Sequence, residues 1–238
     1  MAVIIPAAGS GTRLGGHRKQ FRDLGGKPVI VQTLLAFERH PEIHQIIVVA
    51  PESAAKPLSH EFRQVGISKL ERVVPGGSTR QESVLAGIEA LPPLVELVLV
   101  HDAVRPFVRQ SQITAVIEAV KRTGAAAPAI EVVDTLRRAS GGVFGETVDR
   151  SGLFRMQTPQ GFSRELLTRA HTQESDLRDA TDDVGLVQRL GESVALVAGS
   201  SDNIKITTPD DWERATGFWP TWESVLSREG IETVGGQA

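Results

Sequence analysis

A handful of short segments in the sequence carry residues suited to handling phosphate. The first runs Pro6-Ala7-Ala8-Gly9-Ser10-Gly11-Thr12-Arg13-Leu14-Gly15 and continues to Lys19. Small residues let main-chain N–H groups approach a phosphate closely, and a strand followed by a glycine loop builds such a nest. The spacing is not that of a Walker A loop. Nor is it the dinucleotide fingerprint, because Leu14 stands where the third glycine would be. Arg13 and Lys19, two cations on one glycine loop, suit a triphosphate; the competing account is a tight turn with two solvated charges. Lysine is scarce elsewhere: only Lys19, Lys27, Lys56, Lys69, Lys121 and Lys205 stand among 26 basic residues. Lys persisting in an Arg-preferring chain hints at a need for a compact ammonium.

Pro75-Gly76-Gly77-Ser78-Thr79-Arg80-Gln81-Glu82-Ser83-Val84 reads by itself as a turn opening a helix, with Ser78 as N-cap. Leu97-Val98-Leu99-Val100-His101-Asp102 puts an acid at the carboxyl end of a buried strand, where open α/β sheets hold their ligands. One carboxylate there suits Mg²⁺, which keeps waters and takes substrate phosphates as its other ligands; a helix cap or a salt bridge to Arg105 would use the same residue. His101 is a poor candidate for a general base. Thr147-Val148-Asp149-Arg150 and Thr158-Pro159-Gln160 follow, and an Arg there can clamp a phosphate bidentately. Thr181-Asp182-Asp183 reads as a helix N-cap, and Asp202-Asn203-Ile204-Lys205 as an edge strand with a solvated lysine.

The elements that must position these residues alternate. Strand-like runs at Ala2–Ile5, Ile46–Ala50, Arg72–Val74, Leu97–His101 and Ala125–Ile130 are separated by helical patterns at Pro28–Arg39, Ser53–Gln64, Thr79–Leu91 and Ser111–Arg122. That rhythm predicts an α/β fold of βαβ units with a mainly parallel sheet. It breaks at Val132. Residues Val132–Thr158 read as two extended stretches around Ser140-Gly141-Gly142, a projecting β-arm on a single domain spanning residues 1–238. Helices are expected again at Arg164–Gln173, Asp183–Arg189 and Pro209 to about Phe218, strands at Val194–Val197 and Ile204–Thr207, and a loose tail at Glu232–Ala238.

Composition narrows the function. With 26 Lys+Arg against 29 Asp+Glu, a net charge of −3 speaks against a nucleic-acid or anionic-membrane binder. The chain has no cysteine, which removes disulfides, thiolate metal sites and Cys nucleophiles. No apolar run approaches the ~20 residues of a membrane span, and the N-terminus lacks the pattern of a signal peptide, so the expected location is cytoplasmic.

The motif P-A-A-G-x-G-x-R-L-G with the following K-Q-F resembles the nucleotidyltransferases that activate sugars and polyols, and within them the 2-C-methyl-D-erythritol 4-phosphate cytidylyltransferase family of the non-mevalonate isoprenoid pathway. The resemblance extends through G-G-x-x-R-x-x-S-V, H-D-A-x-R-P, V-D-R, T-P-Q-x-F, T-D-D and N-x-K-I-T, from Ala2 to Pro209. One position departs: Arg18 stands where the family has proline before the lysine. The resemblance implies a Rossmann-like nucleotidyltransferase domain that transfers CMP from CTP to the polyol phosphate, with Mg²⁺. It implies nucleotide contacts at Ala7, Ala8, Gly9, Gly11, Gly77, Ser78, Arg80, Ser83 and Asp102, with Asp102 also the metal-associated acid. Polyol phosphate contacts fall to Arg105, Thr135, Arg150, Thr158, Thr181 and Lys205, and the catalytic charges to Arg13, Lys19, Arg150 and Lys205. A phosphate nucleophile is already ionised near neutral pH, so cations and positioning carry the catalysis. The arm carries Thr135 and Arg150 yet offers little apolar surface of its own, which leads to the expectation of a homodimer with shared sites. A cytidylyltransferase for another polyol phosphate, such as ribitol 5-phosphate, and a silent nucleotide-binding module remain the alternatives.

Overall fold

A computed structural model describes residues 1–9, 19–173 and 181–229. Gly11, Arg13, Arg18 and the tail Glu232–Ala238 lie outside the described residues. The sheet starts with β1 (Ala2–Pro6), whose first four residues are all buried. Continuous apolar runs of this kind belong to strands covered on both faces. β4 (Gln45–Ala50) and β5 (Leu70–Pro75) lie to one side of β1, and β6 (Leu97–Val100) to the other, all parallel. Two further pieces, β2 (Asp23–Leu24) and β3 (Lys27–Pro28), form a separate small ladder.

Beyond β6 the sheet becomes mixed. β11 (Gln160–Ser163) runs antiparallel between β6 and β7 (Ala125–Glu131); β10 (Phe154–Met156) and β12 (Ala195–Ala198) also pair with β7. Alternate residues face two cores. Val3, Ile5, Ile46 and Val48 pack with α1 (Val29–Glu38), α2 (Glu52–Gln64) and α4 (Gln110–Thr123). Ala2, Ile4, Ile47 and Val49 pack with α3 (Arg80–Glu89), α5 (Arg164–Gln173) and α6 (Asp183–Arg189). A third cluster forms where α7 (Pro209–Arg228) lays Trp219, Trp222 and Leu226 against Val104, Phe107 and Ile206. No helix among the described residues is long and apolar enough to cross a membrane.

Most expected elements are present within a residue or two of their predicted ends. Four differ, each for a physical reason. The N-cap of α3 is Thr79, not Ser78: its hydroxyl accepts from Glu82 N–H while Glu82 reaches back, closing a capping box. Ile204–Thr207 is extended but not a strand, because its Ile206 N–H bonds singly to Val104 while Thr207 N–H is taken by Asp211. α7 continues ten residues past Phe218 to Arg228, since Trp219, Trp222 and Leu226 keep helical spacing into the third cluster. The expected arm is shorter on its return. β8 (Leu136–Ser140) and β9 (Val143–Val148) form an isolated hairpin turning at Gly141 and Gly142, whose φ values of 58° and 79° favour glycine. Val132 then bonds back to Leu153, and Phe154–Met156 rejoins the main sheet as β10.

Candidate active site

The strand order reverses between β1 and β6, since the chain adds β4 and β5 on one side before crossing to the other. Loops leaving the carboxyl ends at such a point open a crevice. Here they line a cavity of about 500 Å³. Ala7 N–H bonds to Val49 and Gly76 N–H to Ala50, so both glycine segments leave the sheet held by one more ladder bond. Gly76 has to be glycine: a Cβ there would lie 2.5 Å from the Ala8 methyl and 2.8 Å from the Ser83 hydroxyl. Buried Gln20 clamps the first loop by donating to the carbonyls of Ala7 and Gly9, and this brings its neighbour Lys19 to the cavity wall.

Asp102 also lines the cavity, buried and ringed by cations. Its Oδ2 meets Arg105 Nε at 3.1 Å and Lys205 Nζ at 3.0 Å, and its Oδ1 lies 3.7 Å from Arg80 Nε. Burial alone would raise its pKa, but Lys205, Arg80 and Arg105 together hold the carboxyl well below its usual range. It is therefore ionised at any physiological pH. Oδ1 makes no hydrogen bond within this ring, and the described residues contain no group of three or more His, Cys, Asp or Glu able to hold a metal. A single carboxylate whose Oδ1 carries no hydrogen bond from these cations fits Mg²⁺ that takes its other ligands from water and nucleotide phosphates; it does not fit a metal bound by protein alone.

His101 is fully buried and its pKa is pushed down to about 4, chiefly by burial. Its Nε2 donates to the Arg105 carbonyl and its Nδ1 accepts from the Thr158 hydroxyl, which in turn accepts from Asp102 N–H. Both ring nitrogens are therefore occupied, and no general base remains at this position.

Ten of the expected residues line the one cavity: Ala7, Ala8, Gly9, Lys19, Gly77, Ser78, Arg80, Ser83, Asp102 and Lys205. Others lie elsewhere. Thr158 and Arg105 sit beneath the site rather than on it: Thr158 fixes Asp102 and His101, and Arg105 also donates to the Asn203 carbonyl. In this structure their side chains engage protein groups. Thr181 is exposed, one residue before Asp182, which caps α6. Thr135 and Arg150 are exposed at the arm and do not line the cavity; the Arg150 guanidinium donates to the Val133 carbonyl. The expected roles of Gly11 and Arg13 fall outside the described residues.

Several residues escaped the sequence reading. Glu82 accepts from the Ser78 N–H and hydroxyl and from Thr79 N–H, which lowers its pKa. Asn203, fully buried, donates to the Thr158 carbonyl and to Gln112. Asp183, also fully buried, pairs with Arg80. Glu82 three residues after Thr79 was a readable capping-box signal; Asn203 and Asp183 gave no local signal, because their partners are distant in sequence.

The sequence matches the family described as IspD, 2-C-methyl-D-erythritol 4-phosphate cytidylyltransferase, over residues 1–219. It is 54% identical over 230 residues to the enzyme of that name from Salinibacter ruber, covering 96% of each chain. It is 43% identical to the one from Halalkalibacterium halodurans, covering 88% of this chain and 92% of the relative. Among solved structures it superposes on the 2-C-methyl-D-erythritol 4-phosphate cytidylyltransferase of Thermus thermophilus with a TM-score of 0.79 at 38% identity, covering 92% of this chain and 98% of the other.

Proposed function

The chain belongs to the 2-C-methyl-D-erythritol 4-phosphate cytidylyltransferase family, and from that premise we infer that it transfers CMP from CTP to 2-C-methyl-D-erythritol 4-phosphate, a step in isoprenoid precursor synthesis. A phosphate oxygen of the polyol attacks the α-phosphorus of CTP, the bond to the β-phosphate oxygen breaks, and pyrophosphate leaves. The nucleophile is already an anion, so the reaction needs no general base; the engagement of both nitrogens of His101 accords with that.

The observation that carries the residue assignments is the gathering of Lys19, Arg80, Asp102 and Lys205 with both glycine segments around one cavity. Lys19 neutralises the triphosphate beside the first loop. Gly77, Ser78 and Ser83 face the nucleoside, although the Ser78 hydroxyl already donates to Glu82 and the Ser83 hydroxyl to the Thr79 carbonyl. Both hydroxyls therefore meet a ligand as acceptors. Lys205 spends one N–H on Asp102 and keeps two for substrate phosphates. Arg105 and Thr158 act from below by fixing Asp102. We assign Mg²⁺ to Asp102 Oδ1 and the CTP phosphates, where it would supply charge neutralisation. The cytoplasm is the proposed compartment, on the cysteine-free sequence and the small-molecule substrates.

The exposed hairpin supports a homodimer. Among the described residues β8 and β9 pair with no other strand, and Val133, Val143 and Phe144 are 69%, 70% and 80% exposed. In the proposed dimer this hairpin lies on the partner and brings Thr135 and Arg150 to the partner's cavity.

Pyrophosphate release tests the assignment. It should occur only with CTP, Mg²⁺ and 2-C-methyl-D-erythritol 4-phosphate together. Faster turnover with ribitol 5-phosphate would reassign the substrate and leave nucleotidyl transfer standing.

A further inference from the structure

Arg80 is held in an unusual way for a residue facing a nucleotide. Its Nη2 donates to Asp183 Oδ2 at 2.7 Å, and its Nε lies 3.7 Å from Asp102 Oδ1. Its Nη1 is buried and has no hydrogen-bond partner among the described residues. A buried guanidinium nitrogen without an acceptor is costly unless a ligand supplies one. Arg80 itself lines the cavity, so the guanidinium is held where it can face bound CTP.

What fixes the guanidinium lies outside the cavity. Asp183 is the first residue of α6 and is fully buried. Its other oxygen, Oδ1, accepts from His171 Nε2 at 3.0 Å, and His171 on α5 is itself buried, at 2% exposure. Asp183 N–H donates to Gln160 Oε1, which ties the start of α6 to β11. The carboxylate is thus held on three sides, and its depressed pKa keeps it charged against the cost of burial. The arginine stands between two buried acids, Asp102 at the nucleotide cavity and Asp183 behind it. Were Asp183 absent, the nearest anion for all of its donors would be Asp102, the acid assigned to the metal and phosphates.

We propose that Asp183, braced by His171, is a positioning residue for CTP binding: it draws the Arg80 guanidinium away from Asp102, so that Arg80 is held at the cavity wall for the nucleotide and Asp102 Oδ1 stays free of a hydrogen bond from it. The proposal rests on the cytidylyl-transfer reading of the cavity. It makes no claim on the polyol phosphate.

The test uses the full-length enzyme with KM for each substrate measured separately. Asp183→Asn keeps the shape and removes the charge. It should raise KM for CTP about tenfold, the size expected from one buried charge-assisted hydrogen bond, and leave KM for the polyol phosphate within about twofold. The double variant Arg80→Ala/Asp183→Asn should bind CTP no worse than Arg80→Ala alone, because Asp183 acts only through Arg80. Additive losses, or an unchanged KM for CTP in Asp183→Asn, would overturn the proposal. His171 gives a second route should Asp183→Asn not fold. His171→Leu should raise KM for CTP, and His171→Gln, which keeps a donor near Nε2, should restore most of it. Equal KM values in these two variants, or parallel shifts in both substrates, would show an ordinary packing role. A wild-type enzyme that releases no pyrophosphate from CTP would instead refute the reading beneath the proposal.

Discussion

A single carboxylate organises the cations of the site. Asp102 binds Lys205 and Arg105 through one oxygen and lies near Arg80 through the other, yet these three cations face different duties. Lys205 has a side chain 42% exposed and can move toward a ligand, whereas Arg105, with its side chain 10% exposed, is tied to both Asp102 and the Asn203 carbonyl. Arg105→Ala should therefore lower stability by about 3–5 kcal/mol, the usual cost of breaking a buried ion pair. Urea unfolding would measure it; a normal midpoint with a raised KM for the polyol phosphate would mark Arg105 as a substrate contact after all. Lys19 gives the opposite expectation. It lies on the cavity wall, so Lys19→Ala should cut kcat by about 10²-fold or more with little change in unfolding midpoint, as for the loss of one charge-stabilising donor. A variant with near-normal kcat would reduce Lys19 to a solvated loop residue. Ten expected residues were legible because glycine segments and a strand-end acid announce themselves locally. That Arg105 and Thr158 would hold Asp102 and His101 was not legible, since neither residue type announces its partner locally. Asp183 was illegible as a partner of Arg80, 103 residues away in sequence.

The elements explain why the loops hold still. α7 presses Trp219, Trp222 and Leu226 onto Val104, Phe107 and Ile206, close in sequence to Asp102 and Lys205, which pair at the cavity. It starts with a capping box: Thr208 accepts from Asp211 N–H, and Asp211 accepts from Thr207 N–H, the Thr207 hydroxyl and Thr208 N–H. Burial opposes the charge on Asp211, but these bonds outweigh it and lower its pKa from 3.8 to about 2. A carboxylate with a depressed folded pKa contributes stability above its unfolded pKa, and that contribution is lost as pH falls toward the folded value. Asp211→Asn should thus be less stable than the parent by a constant margin above about pH 5, and the margin should shrink steadily below it. Paired urea titrations across that range would show it; a margin independent of pH would mean the charge contributes nothing to the cap. At this scale the sequence was readable where burial on both faces made continuous apolar strands, as in β1 and β4. It was misleading at Gly217 and Pro220, which look like the end of a helix. The three large apolar residues with helical spacing around them outweigh the lost backbone bond. Ile204–Thr207 has the composition of a strand but only one neighbour to bond, at Val104.

At the scale of the whole molecule, the chain carries an extension outside its main sheet. The β8–β9 hairpin stands off the main sheet, its Phe144 80% exposed, and an isolated two-stranded hairpin is marginal in water. Its base carries Thr135 and Arg150, neither of which lines the chain's own cavity. A two-fold partner would bury the hairpin, and the exchange would be reciprocal, each hairpin completing the other's site. Complementation measures this directly. In the proposed dimer, Lys19→Ala would damage the cavity of its own chain, and Arg150→Ala the cavity of the partner. Each homodimer should be nearly inactive. In a mixed dimer both lesions fall on one site and the other is intact. Random equal mixing makes about half of the dimers mixed, so about one quarter of all sites should recover. If each chain completes its own site, every site in the mixture carries one lesion and activity stays at the level of the separate variants. A mixture that stays inactive after verified subunit exchange refutes the shared site, and Arg150 must then reach substrate within its own chain or not at all.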